Sequence, residues 1–214
     1  MIPKIIYICH KNIEIIKPYA LKWIELNPDY KLELYDDARC KEFLLNEFSQ
    51  AHVDVFDFIP DGPIKADFWR ICIMYKYGGV YADADIEPLI PFDKYIHENV
   101  SFVTCISTYN SHNNFNPHFI MSEPYNLKLK RCIDWYIMYK DKKRYSYWGW
   151  SIVKVFNVIF KTIKMNEADN KDIQLLIETN DGGSIYDFYC KYNNLRVMNC
   201  RHINYDPDNH FYKC

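Results

Sequence analysis

The chain has 214 residues, of which 49% are hydrophobic and 25% charged, proportions that suit one globular domain with a full hydrophobic core over residues 1–214. The formal net charge is −2, and no run of Lys or Arg is long enough to form a basic stripe, which argues against nucleic acid as a partner. No apolar stretch reaches the roughly 20 residues of a membrane span, and the N-terminus lacks a signal-peptide pattern, so we expect a soluble cytoplasmic protein, in the host cytoplasm if the source is viral.

The sequence alternates between strand and helix patterns. Asn27-Pro28 ends the first predicted helix, and Gly78-Gly79 ends the third. The order β-α-β-α-α-β predicts an α/β fold with a mostly parallel sheet and helices on both faces, in which ligands bind beyond the carboxyl ends of the strands. The predicted strands are 4–9, 32–35, 80–82, 102–106 and 119–122, and the predicted helices are 19–26, 36–48, 64–77, 127–139 and 150–163.

Two acidic residues follow the third predicted strand, in the sequence VYADADIE (80–87). Successive side chains of an extended chain point to opposite faces, so Asp83 and Asp85 would share one side with Tyr81. Close carboxylates repel each other unless a positive group lies near them, and oxygen ligands completed by phosphate and water suit Mg²⁺ or Mn²⁺. The pattern favours a divalent cation bound together with a diphosphate. The alternative is that the pair caps the next turn or is only solvated.

The helix before this strand carries two charged residues in an otherwise apolar sequence, IKADFWRICIMYKYGG (64–79). Asp67 and Arg70 are three residues apart, so they share one face of the helix. Burying both charges is costly unless they are paired or have a function. A simple buried ion pair and a ligand-binding pair are the two possibilities.

The segment KADFWRICIMYKYGGVYADADIEPL (65–89) resembles the signature of glycosyltransferases whose sugar-binding region contains a D-x-D motif. This group comprises family 32 and its relatives among capsular-polysaccharide, viral and clostridial-toxin glycosyltransferases. The opening IPKIIY (2–7) is similar to the first strand of the same group. The resemblance covers residues 1–91 and implies a GT-A-type, Rossmann-like fold. It places the nucleotide-sugar-binding part at about 1–105 and the acceptor side with a closing segment at about 106–214.

The resemblance also implies roles for individual residues. Asp67 and Arg70 would act in catalysis by contacting the donor sugar and its phosphate. Asp85 would bind Mn²⁺ or Mg²⁺ directly, whereas Asp83 would reach the metal through water or contact the ribose. The residues implied for the remainder of the nucleotide lie at the ends of two strands and are Tyr7, His10 and Tyr81.

Two candidates come from the carboxyl-terminal half. Related enzymes close the site with a late His, Ser or Trp. His210, which lies near Asp206 and Asp208, is favoured as the late metal ligand, and the alternatives are His202 or neither histidine. Asp181 in TNDGGS is a candidate catalytic nucleophile, because the glycines would let the backbone approach the donor closely. The alternative for Asp181 is that its sequence forms only a turn.

Two further patterns have open interpretations. The 8 cysteines include no Cys-x-x-Cys pair and no spacing typical of a zinc site, so we expect most of them to be reduced and structural. The aromatic sequence YSYWGWS (145–151) suits either stacking on a sugar ring or the start of a helix packed in the core.

Together with the acidic pair, the resemblance implies a metal-dependent glycosyltransferase that moves a hexose from a UDP-sugar to a glycan or protein-linked acceptor, with retention of anomeric configuration. The metal would neutralise the diphosphate leaving group as the glycosidic bond breaks. One alternative is a phosphohydrolase, although that class places its D-x-D on the first strand. The other is a non-catalytic module that binds nucleotide sugars.

Overall fold

The structure is a computed structural model that describes residues 1–108, 114–141, 144–160, 172–181 and 187–200. The strands are β1 (Ile5–Cys9), β2 (Lys31–Tyr35), β3 (Gly79–Ala82), β4 (Glu87–Pro88), β5 (Phe102–Ser107), β6 (Asn114–Ser122), β7 (Ile173–Thr179), β8 (Tyr189–Tyr192) and β9 (Leu195–Asn199). The helices are α1 (Ile13–Leu26), α2 (Asp37–Glu47), α3 (Gln50–Phe58), α4 (Gly62–Tyr77), α5 (Leu127–Lys140), α6 (Tyr147–Trp150) and α7 (Ile152–Ile159). None of the helices within these ranges is both long and apolar enough to cross a membrane.

The first helix is longer than its sequence pattern predicts. It begins at Ile13 because the side chain of Asn12 caps it by accepting the N–H of Glu14 at 3.1 Å. Pro18 lies inside the helix, where it removes one backbone hydrogen bond without ending the helix. The start predicted at residue 19 was therefore wrong, and helix α3 was not predicted at all.

The strands form one sheet in the order β2-β1-β3-β6-β5-β7-β8-β9-β4. The expectation of a mostly parallel sheet is wrong, because within the described ranges three pairings are parallel and five are antiparallel. The parallel order holds for β2-β1-β3, where helices make the connections. Strand β6 then enters between β3 and β5 and runs against both, so the sheet is mixed.

Helices cover both faces of the sheet, as the sequence predicts. Along β3, Val80 and Ala82 pack on the side of α1, whereas Tyr81 packs on the side of α4. The α1 side is filled around Trp23, which stacks on Phe119 with ring centroids 5.8 Å apart. Tyr81 therefore points toward the charged residues of α4.

Two glycines connect α4 to β3. Gly78 has φ +64° and Gly79 has φ +100°, a region that residues with a Cβ rarely adopt. A Cβ on Gly79 would lie 2.7 Å from the backbone oxygen of Ile5 on β1. The link thus lets β3 lie directly against β1.

The short strand β4 pairs with β9, and a buried carboxylate marks this contact. Glu87 lies opposite Asn199 and accepts its side-chain N–H at 2.7 Å. The other oxygen of Glu87 contacts Nζ of Lys22 on α1 at 2.5 Å. Residues from both predicted halves of the chain meet here.

Candidate active site

A buried ion pair lies on helix α4. Nη2 of Arg70 is 2.8 Å from Oδ1 of Asp67, and the two residues are only 4% and 6% exposed. The spacing of three residues brings the two side chains together on the helix, as predicted. The pair is not an isolated one, because both partners have further contacts.

Arg70 extends from α4 to the end of β3 and to β6. Its Nη2 lies 2.9 Å from Oδ1 of Asp83, and its Nη1 donates to the carbonyl of Pro117 at 2.7 Å. The guanidinium also lies over the ring of Tyr81, 4.5 Å from the centroid. One cation therefore holds two carboxylates, a carbonyl and an aromatic face.

Asp83 is fixed from three directions. The hydroxyl of Tyr81 donates to Oδ1 of Asp83 at 2.6 Å, and Arg70 contacts the same oxygen. The backbone N–H of Asp83 donates to the carbonyl of His118 at 2.9 Å. The carboxylate remains 29% exposed, so its outer side is accessible to a ligand.

The D-x-D sequence is a turn rather than an extended strand. Strand β3 ends at Ala82, and the N–H of Ile86 donates to the carbonyl of Asp83 at 3.1 Å. The expected period-2 alternation through Asp85 is therefore wrong, since it stops where the strand stops. Asp85 lies within the turn and is partly exposed.

Asp67 also contacts the start of α7. Its Oδ2 accepts the N–H of Ile152 at 2.9 Å, a position where a helix favours a negative charge. Burial raises the pKa of Asp67 to about 6, even though Arg70 and the Ile152 N–H favour the charged form. At neutral pH this carboxyl is ionised and held in one orientation.

The charge of Arg70 is secured by its neighbours. Burial lowers the pKa of this guanidinium, but Asp83, Tyr81 and Asp67 together raise it above its usual value. The site therefore keeps a positive group at the carboxyl end of β3.

Two residues predicted for the base pocket lie within strand β1 and just after it. Tyr7 lies opposite Tyr81 in the sheet, and its side chain belongs to the core on the α4 side. His10 lies just past β1, and its Nδ1 is 3.0 Å from the backbone nitrogen of Asn12. Burial lowers the pKa of His10, so its ring is neutral at physiological pH. Their contact with a base stays a prediction.

Asp181 follows β7 and is not among the residues described above that contact Arg70. It accepts the hydroxyl of Tyr189 at 2.6 Å and is exposed. Strands β3 and β7 point the same way but are three strand spacings apart, which corresponds to roughly 14 Å. Its role as a nucleophile stays a prediction. His202 and His210 lie outside the described residues, so the late metal ligand also stays a prediction.

The two tryptophans of 145–151 have different surroundings. Trp150 is fully buried and packs against Tyr136, with ring centroids 6.1 Å apart. Trp148 is 71% exposed. The core interpretation therefore holds for Trp150, whereas the ring of Trp148 is available to a ligand.

Sequence reasoning missed the groups that strand β6 contributes. Pro117 and His118 supply backbone carbonyls to Arg70 and Asp83, and a carbonyl has no signature in a sequence. The polar run Asn116-Pro117-His118 inside an apolar strand was the available signal. Burial and the nearby Arg70 lower the pKa of His118 to about 3, so its ring is neutral.

Part of the chain matches a known protein family. Residues 16–102 match a family described as "Glycosyltransferase sugar-binding region containing DXD motif", and the match includes α4 and the turn at Asp83. A solved structure, "PaToxG Glycosyltransferase", shares the fold with a TM-score of 0.59 at 16% identity over 79% of this chain and 72% of that chain. This similarity confirms the predicted GT-A-type α/β fold.

Two sequence relatives match over shorter regions. An "Initiation-specific alpha-1,6-mannosyltransferase" of Candida albicans is 35% identical over 80 residues, which are 36% of this chain and 21% of the relative. "Inositol phosphoceramide mannosyltransferase 3" of Schizosaccharomyces pombe is 34% identical over 99 residues, 45% of this chain and 28% of the relative. The matched regions therefore span less than a third of these relatives. Over residues 16–102 the chain is therefore similar to glycosyltransferase sugar-binding regions that contain a DXD motif.

Proposed function

We propose that the chain is a metal-dependent glycosyltransferase that transfers a hexose from a nucleotide sugar to a glycan or protein-linked acceptor. The observation that carries the proposal is the contact of Arg70 with both Asp67 and Asp83 at the carboxyl end of β3. In sheets of this kind, that edge is where nucleotide ligands bind. The match of the same residues to a glycosyltransferase region supports this interpretation.

Arg70 and Asp67 would bind different parts of the donor. Arg70 provides a buried positive charge with several N–H groups, which suits a phosphate oxygen of the donor. Asp67 is ionised and is held in place by the N–H of Ile152. Its carboxylate can therefore accept a hydrogen bond from a hydroxyl of the sugar. Because both side chains are already oriented, little ordering is required when the donor binds.

The turn at Asp83 and Asp85 fits a hard divalent cation. Both residues offer carboxylate oxygens, and both are partly exposed at the end of the strand. Such oxygens, together with diphosphate and water, are the usual ligands of Mg²⁺ and Mn²⁺. The cation would supply positive charge for the diphosphate leaving group. Asp83 is held by Tyr81 and Arg70, so Asp85 is the residue we propose for direct contact with the metal.

The names of the relatives favour one sugar. Both relatives described above are named mannosyltransferases, so we propose mannose as the first hexose to test. UDP as the nucleotide stays a prediction from the family resemblance, and a GDP-sugar belongs in the same assay. Retention is tested by the anomeric configuration of the transferred sugar in NMR spectra.

The proposal is tested by donor hydrolysis in the absence of an acceptor. We expect slow release of nucleoside diphosphate from one UDP- or GDP-sugar, dependent on Mn²⁺ and lost with EDTA. Asp85→Asn should lower the rate at least about 100-fold, since a catalytic cation contributes several kcal/mol. Asp93→Asn is the matched control, because Asp93 is 68% exposed on a short 3-10 helix beyond the turn.

The outcomes separate the alternatives. Tight metal-dependent binding of a donor with no turnover would instead indicate a module that only binds nucleotide sugars. Equal rates for Asp85→Asn and Asp93→Asn would contradict the assigned metal site. Phosphate release from a phosphomonoester under the same conditions would support a phosphohydrolase.

A further inference from the structure

Four side chains that can ligate a metal lie close together on the α1 side of the sheet. We call them the thiol-imidazole cluster, and they are Cys105, His118, Cys190 and Cys200. Cys190 lies at the centre, with Sγ 3.5 Å from Sγ of Cys105 and 3.7 Å from Sγ of Cys200. Nε2 of His118 is 3.3 Å from Sγ of Cys190 and 3.9 Å from Sγ of Cys200.

These distances match the edges of a zinc tetrahedron. Zinc binds thiolate sulfur at about 2.3 Å and imidazole nitrogen at about 2.0 to 2.1 Å. Tetrahedral angles then give edges of about 3.8 Å between two sulfurs and about 3.5 Å between sulfur and nitrogen. The four distances given above, out of the six edges of such a tetrahedron, lie between 3.3 and 3.9 Å. Cys105, His118 and Cys190 thus lie close enough to share one ion, and Cys200 lies within 3.9 Å of both His118 and Cys190 as the fourth ligand.

The imidazole is oriented from its other side. Nδ1 of His118 is 3.3 Å from Oε2 of Glu178, which also accepts the side chain of Asn116 at 2.5 Å. A carboxylate on the second nitrogen fixes the tautomer and directs Nε2 toward the metal in many histidine sites. This second contact distinguishes the cluster from cysteines that only pack in a core.

The elements that provide the ligands explain why the pattern is invisible in the sequence. Cys105 lies on β5, His118 on β6 and Cys190 on β8, and Cys200 follows β9. Even the nearest two, Cys190 and Cys200, are 10 residues apart in the chain, so none of the usual close pairs of zinc ligands occurs. Cys105 and Cys190 are fully buried, as expected for a closed structural site rather than a catalytic one.

We propose that the thiol-imidazole cluster is a structural zinc site and that Glu178 positions its histidine. Binding replaces three thiol protons, which pass to the solvent, with three zinc-sulfur bonds, and no oxidant is needed. The site fastens β8 and the end of β9 to β5 and β6. It also supports the active site, because the carbonyl of His118 accepts the N–H of Asp83. The sulfur and nitrogen ligands separate this site from the oxygen ligands at Asp85.

The test is the metal content of the whole chain. Protein purified under reducing conditions from zinc-supplemented cells is dialysed against metal-free buffer and measured by plasma mass spectrometry. We expect about one zinc per chain, and a loss of at least tenfold in Cys190→Ala. Cys132→Ala is the matched control, because that thiol is equally buried on α5 and outside the cluster. Asp85→Asn should also retain zinc, so the result does not depend on the proposed glycosyl transfer.

A second measurement covers the case in which Cys190→Ala does not fold. Cobalt-substituted wild-type protein should show thiolate-to-cobalt charge-transfer absorption and the visible bands of a tetrahedral ion. Glu178→Gln should bind zinc about 10- to 100-fold more weakly in competition with a chromophoric chelator. An unchanged affinity would refute the positioning role of Glu178.

Three results would overturn the zinc site. They are wild-type protein without zinc and without the cobalt spectrum, Cys190→Ala with undiminished zinc, and a disulfide from Cys190 to Cys105 or Cys200 in freshly purified protein.

Discussion

Arg70 and Arg39 make the same kinds of contact in different surroundings. Each pairs with a carboxylate, lies over a tyrosine ring and donates to a backbone carbonyl. The side chain of Arg70 is 5% exposed, whereas that of Arg39 is 49% exposed. A buried charge that loses its partner cannot be rescued by water, so the two residues should differ sharply in their importance for stability.

We therefore expect Arg70→Leu to lower the free energy of unfolding by about 3 to 5 kcal/mol, because Asp67 and Asp83 would lose their buried cation. The measurement is urea denaturation followed by circular dichroism. Arg39→Leu is the control, with an expected change of about 0 to 1 kcal/mol. A similar loss in both variants would show that burial does not decide the contribution.

The sequence predicted part of this contact. The spacing of Asp67 and Arg70 predicted their pairing, because three residues is a local helical distance. The meeting of Arg70 with Asp83 could not be read from spacing, since it depends on how α4 lies against β3. The carbonyl of Pro117 was beyond any sequence argument, because every residue has one.

At the level of elements, the two glycines between α4 and β3 determine how the helix and the strand of the site lie against each other. The link has to reverse the chain within two residues, so that α4 lies over the strand that precedes the turn at Asp83. Positive φ at both positions allows this reversal, and the missing Cβ of Gly79 allows contact with β1. Sequence correctly predicted the end of the helix at these glycines.

Gly79→Ala should therefore be strongly destabilising. The added Cβ would clash with the backbone oxygen of Ile5, and the alanine would be held at an unfavourable φ. Together these effects should lower the free energy of unfolding by at least about 2 kcal/mol. Thermal unfolding followed by circular dichroism measures the loss. Gly149→Ala is the control, because its Cβ would clash with the hydroxyl of Ser146, which can rotate to another rotamer, and would make only an ordinary contact with Ser146 Cβ. Equal melting temperatures for the two variants would contradict this account.

The directions of the strands after β3 were harder to predict from the sequence than the directions of β1, β2 and β3. Helical connections between β1, β2 and β3 predict parallel pairing, and the structure confirms it. No such rule indicated that β6 would enter between β3 and β5, because insertion order depends on contacts across the whole sheet. The turn at Asp83 was missed for a related reason, since apolar alternation continues in the sequence after the strand has ended.

For the molecule as a whole, binding of the donor should raise the melting temperature. A ligand at 100 times its dissociation constant adds about 2.7 kcal/mol, which corresponds to roughly 5 to 11 °C for a chain of this size. We expect this shift by scanning fluorimetry with the correct nucleotide sugar and Mn²⁺ together. Asp85→Asn should abolish the part of the shift that depends on Mn²⁺, whereas Asp93→Asn should not. A full shift without any metal would contradict the proposed ligand set.

The segment from Asp67 to Asp85 could be recognised in the sequence, whereas the thiol-imidazole cluster could not. Asp67 to Asp85 is one uninterrupted segment, so its chemistry could be inferred from neighbours and from a family resemblance. The thiol-imidazole cluster draws on four separate parts of the chain, and the expectation of unrelated core cysteines missed their convergence. Predicted cytoplasmic localisation and the division at about residue 105 stay predictions.

The pairing of β4 with β9 has a consequence for how the molecule forms. Glu87 directly follows the turn at Asp83, yet its partner Asn199 comes 112 residues later. Contacts between such distant segments cost loop entropy and form late, and during synthesis the second segment leaves the ribosome long after the first. We expect the turn at Asp83 to gain its final shape only after β9 has joined the sheet. A partly synthesised chain would then be unable to capture and consume a nucleotide sugar.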